Sequence, residues 1–285
     1  SEALMKKIVK FFLLLIFIFA ISCFGHSVEA NSIKSISMDI YVDKNGNAKV
    51  TEVWNCDANQ GTEVYHPYYN LGESEIQNFS VSESSTSYSV LSSWHTSASF
   101  SEKAYKCGIN YIEDGVELCW GISKYGKHTY TVNYEITNFV SSLTDSQMIY
   151  WTLIPHNFSN EIGKAYIKIH TDFNIPNTVD VWGYGNYGGT AYVYDGYIEM
   201  QSDGVLQEDE YMTILVKFPL GTFNTSNTLD NDFQYYYNMA QEGSTAYVSS
   251  STSYFFDFIL PILVGVVIGI ICIVAVIAIY CETPR

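Results

Sequence analysis

VDKNGNAKVTE, residues 42–52, is the stretch that decides between a calcium loop and a β-hairpin. Three oxygen ligands spaced two apart start at Asp43, as they do in a helix-flanked calcium loop. Such a loop also needs Gly at its sixth position and Glu at its twelfth, where this sequence has Ala48 and Trp54. The Asn45–Gly46 pair is instead preferred in two-residue turns with positive φ at both positions. The stretch therefore predicts a hairpin.

Period-two alternation extends outward from this turn and recurs through most of residues 31–220. Short apolar strands are separated by Asp-Gly pairs at 114–115, 195–196 and 203–204, and no stretch shows an amphipathic helix. This pattern predicts an all-β fold, an antiparallel, immunoglobulin-like β-sandwich, formed by one domain of residues 31–220. Three strands show the alternation most clearly, with inward residues Ile36, Met38, Ile40 and Val42; Tyr130, Val132, Tyr134 and Ile136; Met212, Ile214, Val216 and Phe218.

The first of two long apolar runs lies at the start of the chain. A basic segment with Lys6, Lys7 and Lys10 is followed by FFLLLIFIFAISCF, and small residues end at Ala30. This order predicts a signal peptide, residues 1–30, in which residues 1–4 are an upstream remnant. An uncleaved anchor and a lipoprotein site at Cys23 are the alternatives.

The second run, residues 258–280, contains no charge and is long enough to cross a hydrocarbon core of about 30 Å as a helix. We expect a single-pass protein of a bacterial cell membrane, with the β domain outside and a cytoplasmic tail of residues 281–285. The bilayer is then a partner through residues 258–280. Gly265 and Gly269 form a spacing that allows helices to associate, which predicts a homodimer through this helix. Residues 221–257 are rich in Asn, Ser, Thr and Tyr and predict a polar stalk. Phe233 and the cluster Tyr235–Tyr237 are the aromatic residues of this segment that could dock onto the sandwich or onto the membrane interface.

Charge and cysteine content limit the partners and the cofactors. The formal net charge is −16, which excludes nucleic acid as a partner because both polymers are anionic. Cys107 and Cys119 flank the turn YIEDGVE and are the candidate disulfide, although a two-residue turn at Asp114–Gly115 would place Ile122 opposite Cys107. With Cys56, these residues are three well-spread cysteines without a nearby His, so we expect no metal site and no cofactor.

Four segments in order resemble a known family. They are SISMDIYVDKNGNAKVTEVWNC, YHPYYNLGESEIQNFSVSE, GKHTYTVNYEITNFV and DSQMIYWTLIPHNF, within residues 33–220. Together they resemble the exported N-terminal domain of the YciQ-like predicted bacterial membrane proteins, a family of unknown function. The resemblance implies a signal peptide, an all-β exported domain and a membrane anchor, with no agreed catalytic activity. Members usually have Arg where His66 stands and continue past the membrane helix, so this chain is a short relative or a truncated one.

Catalytic motifs do not appear in the sequence. There is no G-x-S-x-G and no H-E-x-x-H, and the His residues are scattered, as expected for surface or loop positions. The acidic cluster at residues 203–210 is expected to be a solvated loop. We therefore expect a chain without catalytic residues.

The aromatic segment WGYGNYGGTAYVYDGY, residues 182–197, is the candidate ligand site. Trp182, Tyr184, Tyr187 and Tyr192 could stack on sugar rings or contact a protein if they are exposed. The alternative is that they fill half-buried sheet positions. Three hypotheses result. The first is a surface module that contacts an envelope protein or polymer, the second is a module that binds polysaccharide, and the third and weakest is a hydrolase with carboxylates gathered from distant loops.

Overall fold

The computed structural model describes residues 31–156, 158 and 160–246. One compact unit extends to Gln241, and a second begins at Glu242. The predicted signal peptide, the apolar run 258–280 with Gly265 and Gly269, and the tail 281–285 lie outside the described residues. No helix within the described ranges is long and apolar enough to cross a bilayer.

The largest sheet has eight strands and contains the hairpin of residues 42–52. We call it the large sheet. Its pairs are antiparallel except for β1 and β12, which run parallel from Ile36–Ala165 to Val42–Thr171. In spatial order, its strands are β14 (Thr190–Tyr194), β15 (Tyr197–Gln201), β12 (Ala165–Thr171), β1 (Ser32–Val42), β2 (Ala48–Ala58), β9 (Gly126–Ile136), β4 (Ile76–Glu83) and β5 (Thr86–Ser87).

Two four-stranded sheets complete the layers. The β3 sheet has the order β3 (Glu63–Tyr69), β8 (Gly115–Gly121), β7 (Lys106–Ile112) and β6 (Ser89–Val90); the last two strands are parallel. The β11 sheet has the order β10 (Val140–Ser142), β11 (Gln147–Ile154), β16 (Met212–Phe218) and β13 (Asp180–Tyr184). A short helix, α1 (Phe100–Lys103), precedes β7.

The all-β prediction is confirmed, but the immunoglobulin-like topology is not. Alternating apolar residues bury one face of the longer strands, and a single core cluster includes Val50 of the large sheet, Leu118 of the β3 sheet and Ile149 of the β11 sheet. At its centre the indole rings of Trp54 and Trp120 meet edge to face, with centroids 5.1 Å apart. The eight-stranded, partly parallel sheet therefore shares its core with two smaller sheets.

The hairpin predicted at residues 42–52 is present, with a loop of three residues instead of two. The Asp43 N–H donates to the Asn47 carbonyl at 2.9 Å, and the Gly46 N–H donates to the Asp43 carbonyl at 3.0 Å. Gly46 has φ +78°, so a type I turn is followed by a left-handed glycine. The Asp43 carboxylate accepts the amides of Asn45 and Asn47 at 2.8 and 3.0 Å. The side chain that resembles a calcium ligand therefore closes the turn.

The disulfide predicted between Cys107 and Cys119 does not form. The β7–β8 turn is shifted by one residue from the predicted Asp114–Gly115 position, so that Cys107 pairs with Trp120 and Cys119 with Gly108. Because side chains alternate along a strand, the two thiols lie on opposite faces of the β3 sheet. Both are free and buried, as is Cys56.

The segment predicted to be a polar stalk begins as a packed part of the domain. Residues 227 and 229 exchange backbone hydrogen bonds with Ser142, at 2.7 and 2.9 Å. A second helix, α2 (Phe233–Ala246), follows; the Asp145 carboxylate accepts the Phe233 N–H at 2.9 Å. The Phe233 ring is buried against Trp182, with centroids 5.4 Å apart. Of the two alternatives for Phe233, the structure therefore shows docking onto the β domain.

Replacing Gly46 with Ala should destabilise the protein by about 2 to 4 kcal/mol, as the sum of left-handed backbone strain and overpacking. A Cβ at residue 46 would meet the Val140 Cβ at 3.0 Å and the Thr225 Cβ at 3.1 Å. Gly221 is a matched control, because its φ is +79° and nothing lies within 4 Å of an added Cβ. Urea denaturation should show a clearly larger loss for Gly46→Ala than for Gly221→Ala; equal losses would contradict the predicted clash.

Candidate functional site

A carboxylate lies in the middle of the core. Glu52 occupies an inward position of β2, between Val50 and Trp54 in the alternating pattern, and its exposed fraction is 0%. His66 of β3 is also 0% exposed. A buried ionised carboxylate is costly unless it is paired and hydrogen-bonded. The surroundings of Glu52 therefore decide whether the core is stable.

Donors from two sheets satisfy the Glu52 carboxylate. Trp54 Nε1–H donates to Oε2 at 2.5 Å, the Tyr134 hydroxyl donates to Oε1, and His66 Nδ1 lies 2.9 and 3.0 Å from the two oxygens. His66 Nε2 lies 3.0 Å from the Leu153 carbonyl of β11 and can only donate to it. Because both ring nitrogens face acceptors, the arrangement is an imidazolium–carboxylate pair.

The same network joins all three sheets. Glu52 and Tyr134 belong to the large sheet, His66 belongs to the β3 sheet, and Leu153 belongs to the β11 sheet.

Desolvation alone would raise the pKa of Glu52, but the charge and hydrogen bond of His66, together with the other donors, lower that pKa below its ordinary value. The Tyr68 hydroxyl extends the network to Tyr134 at 2.5 Å.

The outer face of the large sheet carries a row of exposed and half-buried aromatic side chains. The alternation that buries Ile40 and Ile169 turns their neighbours outward on four adjacent strands. Tyr194 is 57% exposed and Tyr192 is 38% exposed. We call this surface the tyrosine face; it consists of Tyr41 on β1, Tyr166 and His170 on β12, Tyr197 on β15, and Tyr192 and Tyr194 on β14.

Ring contacts run across the strands of the tyrosine face. Tyr41 and His170 are cross-strand neighbours with ring centroids 5.5 Å apart. Tyr194 and Tyr197 are paired in the same way, at 5.8 Å, and Tyr192 lies 6.4 Å from Tyr194. These distances are typical of favourable aromatic pairs. The rings of the tyrosine face therefore pack against one another and are not isolated side chains.

Charged groups lie between the rings. The Glu199 carboxylate accepts the hydroxyls of Tyr192 at 2.9 Å and Tyr166 at 3.1 Å, and Lys168 Nζ lies 4.4 Å from the Tyr197 ring centroid. The hydrogen bond to Glu199 raises the pKa of Tyr192 above its ordinary value. The surface thus presents aromatic rings beside hydrogen-bonding groups of both signs.

The four residues predicted as a ligand site do not form one platform. Trp182 is half-buried beneath Phe233 and Tyr237 of α2. Tyr184 is buried and its hydroxyl accepts from Gln241, and Tyr187 is buried in the main core. Tyr192 alone among the four is exposed, and it belongs to the tyrosine face. The other three are covered by neighbouring side chains, and strands β13 and β14 enter different sheets, so the four residues do not share one surface.

Within the part of the chain that the structure describes, neither a cluster of metal ligands nor a reactive thiol forms a further candidate site. No group of three or more His, Cys, Asp or Glu side chains there could hold a metal ion. Burial raises the pKa of Cys107 to about 11, so its thiol is a poor nucleophile at neutral pH.

A groove of about 380 Å³ lies where β13 starts and β16 ends. Its lining includes Phe173, Asp180, Lys217 and Asp145. Asp145 already caps α2 and lies 3.5 Å from Lys217 Nζ, and that amine lies 4.9 Å from the Phe233 ring centroid. These charges support the docking of α2, so they are engaged before any ligand arrives.

Sequence reasoning missed both the buried network and the tyrosine face. The sequence signal for the buried network is VTEVW, residues 50–54, in which the alternation places Glu52 inward between two apolar residues. His66 is a core residue, in contrast to the surface or loop position predicted for the scattered histidines. The tyrosine face could not be found, because it depends on the parallel pairing of β1 with β12.

A family model described as predicted membrane protein (DUF2207) N-terminal domain matches residues 32–218. This interval extends from β1 to the end of β16. It confirms the resemblance to a family of predicted membrane proteins of unknown function. A comparison with curated proteins finds no match.

Several solved structures align with part of the chain, among them the following two. Leukotriene A4 hydrolase from Saccharomyces cerevisiae aligns with TM-score 0.41 and 8% identity, covering 67% of this chain and 30% of that one. An M1 zinc metallopeptidase from Deinococcus radiodurans aligns with TM-score 0.33 and 8% identity, covering 66% of this chain and 42% of that one. The chain therefore spans less than half of either structure, and at these scores neither alignment carries a functional argument.

Replacing Glu52 with Gln should destabilise the protein by about 3 kcal/mol or more, because it leaves the buried imidazolium without its counter-charge. The same replacement should also make the free energy of unfolding depend less on pH in the acid range. Glu52 has a lower pKa in the folded chain, so its contribution is complete above the ordinary Glu value of about 4.3 and is lost as the pH falls through the folded value.

Urea denaturation between pH 7 and pH 3 measures both effects. Glu113→Gln is the control, since Glu113 is exposed and its replacement should change stability by less than about 0.5 kcal/mol. A Glu52→Gln variant as stable as the control, with an unchanged pH dependence in the acid range, would contradict the ion pair.

Proposed function

The chain belongs to the family of predicted membrane proteins defined by this N-terminal domain, and we propose that the domain is a non-enzymatic interaction module outside the cytoplasm. In this proposal the apolar run 258–280 holds the module at the membrane, and the tyrosine face contacts a component of the cell envelope. The observation that carries the proposal is the row of aromatic side chains across four strands of a solvent-facing sheet.

The composition of the tyrosine face supports a contact role. Tyrosine has a large ring, a hydroxyl that both donates and accepts, and few rotatable bonds, so it gains contact area at low entropic cost. The rings are already held by one another and by Glu199. Binding therefore orders little that is not ordered beforehand, which favours affinity.

The position of the acid–base pairs supports a role without catalysis. A general acid or base must come within hydrogen-bond reach of its substrate. Glu52 and His66 are both completely buried, and the His128 side chain, paired with Glu83 at 2.7 Å, is 0% exposed as well. A structural role explains these pairs, because each connects strands and has its hydrogen bonds satisfied within the protein.

A photo-crosslinking amino acid at position 194 of the full chain, in intact cells, tests the proposal. We expect a discrete crosslinked product between the chain and an envelope component other than a second copy of itself, because residue 194 is in the tyrosine face. The matched control is position 111, since Tyr111 is 74% exposed and lies on the β3 sheet. The same product from both positions, or no product from position 194, would refute the contact role.

Polysaccharide is the second candidate ligand, and the surroundings of Glu199 favour it. A carboxylate that accepts two tyrosine hydroxyls, next to a ring covered by Lys168, offers stacking surfaces beside hydrogen-bonding groups. Sugar ligands need both, since their rings have apolar faces and their edges carry hydroxyls.

Cosedimentation of the purified full chain with insoluble cell-wall polysaccharide tests the second candidate. Tyr194→Ala should weaken binding about tenfold, as expected for loss of about 1.4 kcal/mol of stacking, whereas Tyr111→Ala should leave it unchanged. Equal binding by both variants, or no binding by the parent chain, would exclude this ligand while leaving a protein partner for the tyrosine face untouched.

A further inference from the structure

Strand β14 is the outermost strand of the large sheet and pairs with β15 on one side. Asp195 and Gly196 connect the two strands with φ +48° and +81°, which identifies a two-residue type I′ turn. In such a hairpin Tyr194 and Tyr197 exchange both backbone hydrogen bonds, and alternate pairs repeat the pattern. The N–H and C=O groups of Ala191 and Val193 therefore point away from β15, toward the edge.

The free edge of β14 does not pair with the neighbouring sheet. Strand β13 lies beneath it, since a Cβ added to Gly183 would come within 3.1 Å of the Ala191 Cβ, and Ala191 is on the inner face. Within the part of the chain that the structure describes, no strand pairs with this edge. The edge-directed N–H and C=O groups of residues 191 and 193 thus have no strand partner among the described residues.

Natural proteins protect exposed strand edges with charges, proline, short strands or a covering segment. The other edge strands here carry such protection. Strand β3 contains Glu63 and Pro67, β13 contains Asp180 and Gly183, β5 and β6 have two residues each, and β10 is covered through backbone hydrogen bonds of Ser142 to residues 227 and 229. Strand β14 has the sequence TAYVY, without charge or proline.

We propose that β14 pairs antiparallel with β14 of a second copy of the chain, about a two-fold axis at Tyr192. In this register Ala191 of one copy lies opposite Val193 of the other, and the reverse. Each such pair exchanges two backbone hydrogen bonds, so four bonds satisfy all the edge-directed groups of both strands. The two large sheets become one sheet of sixteen strands, and the two tyrosine faces become continuous.

The second copy fits this edge better than an unrelated strand for two reasons. The register about Tyr192 is self-complementary, as a two-fold interface requires. The net charge of −16 repels copies in general, yet the contacting strand carries no charge, so approach is least opposed there. A five-residue edge buries less area than a stable soluble dimer needs, but confinement of both copies to one membrane raises their effective concentration.

Single-cysteine crosslinking in membranes tests the pairing. The full chain is used with Cys23, Cys272 and Cys281 changed to Ala, which leaves the buried Cys56, Cys107 and Cys119. In the proposed register the two Tyr192 residues form a non-hydrogen-bonded pair with Cα atoms about 4.5 Å apart, suitable for a disulfide. Tyr192→Cys should therefore give a disulfide-linked dimer under mild oxidation.

Tyr194→Cys is the matched control on the same strand. Its two copies would be separated by about 13 Å along the strand direction, although Tyr194 is more exposed than Tyr192 and would react more readily in random collisions. We expect at least fivefold more dimer from Tyr192→Cys. Similar yields from both variants, more dimer from Tyr194→Cys, or linkage only to other proteins would overturn the proposal.

A proline on the edge gives a second, independent measurement. Val193→Pro in the Tyr192→Cys background removes an edge-directed N–H and leaves the hydrogen bonds to β15 in place, as edge strands tolerate. Because the Val193 side chain packs against the core, Val193→Ala is the control, since it removes the same apolar contacts and keeps the N–H. The dimer yield should fall at least fivefold relative to that control. An undiminished yield would overturn the β-pairing, and the comparison of positions 192 and 194 remains decisive if the proline variant does not fold.

Discussion

The structure depends on one buried charge, the carboxylate of Glu52. Its position on an inward site of β2 puts it where only apolar side chains would normally pack. The free-energy cost of removing this carboxylate from water is offset only because donors from the large sheet and from the β3 sheet all hydrogen-bond to it. His66 then passes a hydrogen bond to the β11 sheet through Leu153. Separating any sheet would leave a polar group unpaired in an apolar core.

This arrangement makes the relative positions of the sheets specific. Apolar cores tolerate shifted packings at small cost, because dispersion and burial are not directional. Hydrogen bonds from His66, Trp54 and Tyr134 are directional, and a shift by one residue along β3 would turn His66 to the opposite face. The network therefore adds a directional constraint on the register of β3 to the constraint that apolar burial already sets.

Local patterns in the sequence explain the strands but not their partners. Alternation identified β1, β9 and β16 because it depends only on residues along one strand. The β7–β8 turn was misplaced by one residue, since Asp114–Gly115 matches a turn preference while Ile112 and Gly115 form the closing pair. Parallel pairing of β1 with β12 has no local signal at all, because its partners are more than a hundred residues apart.

The predicted ligand site shows a different limit. The period-two pattern indicates which residues share a face of a strand, but it does not indicate whether another segment covers that face. Trp182 faces outward from the β11 sheet and would be exposed if residues after 221 were a stalk. The docking of α2 through Phe233 and Asp145 changes that outcome. A helix whose apolar side is aromatic rather than aliphatic is difficult to recognise from composition, so the sequence alone does not show that Trp182 is covered.

The inner network and the tyrosine face are connected by the alternation of the same strands. On β1 the buried Ile40 is followed by the outward Tyr41, and on β12 the buried Ile169 is followed by the outward His170. The core that holds the inner residues in place also determines where the outer rings stand. A surface built on such strands is preorganised, whereas the same residues on a loop would have to be ordered on binding. The buried hydrogen bonds of Glu52 and His66 therefore help to fix the strands on whose opposite face the tyrosine rings stand.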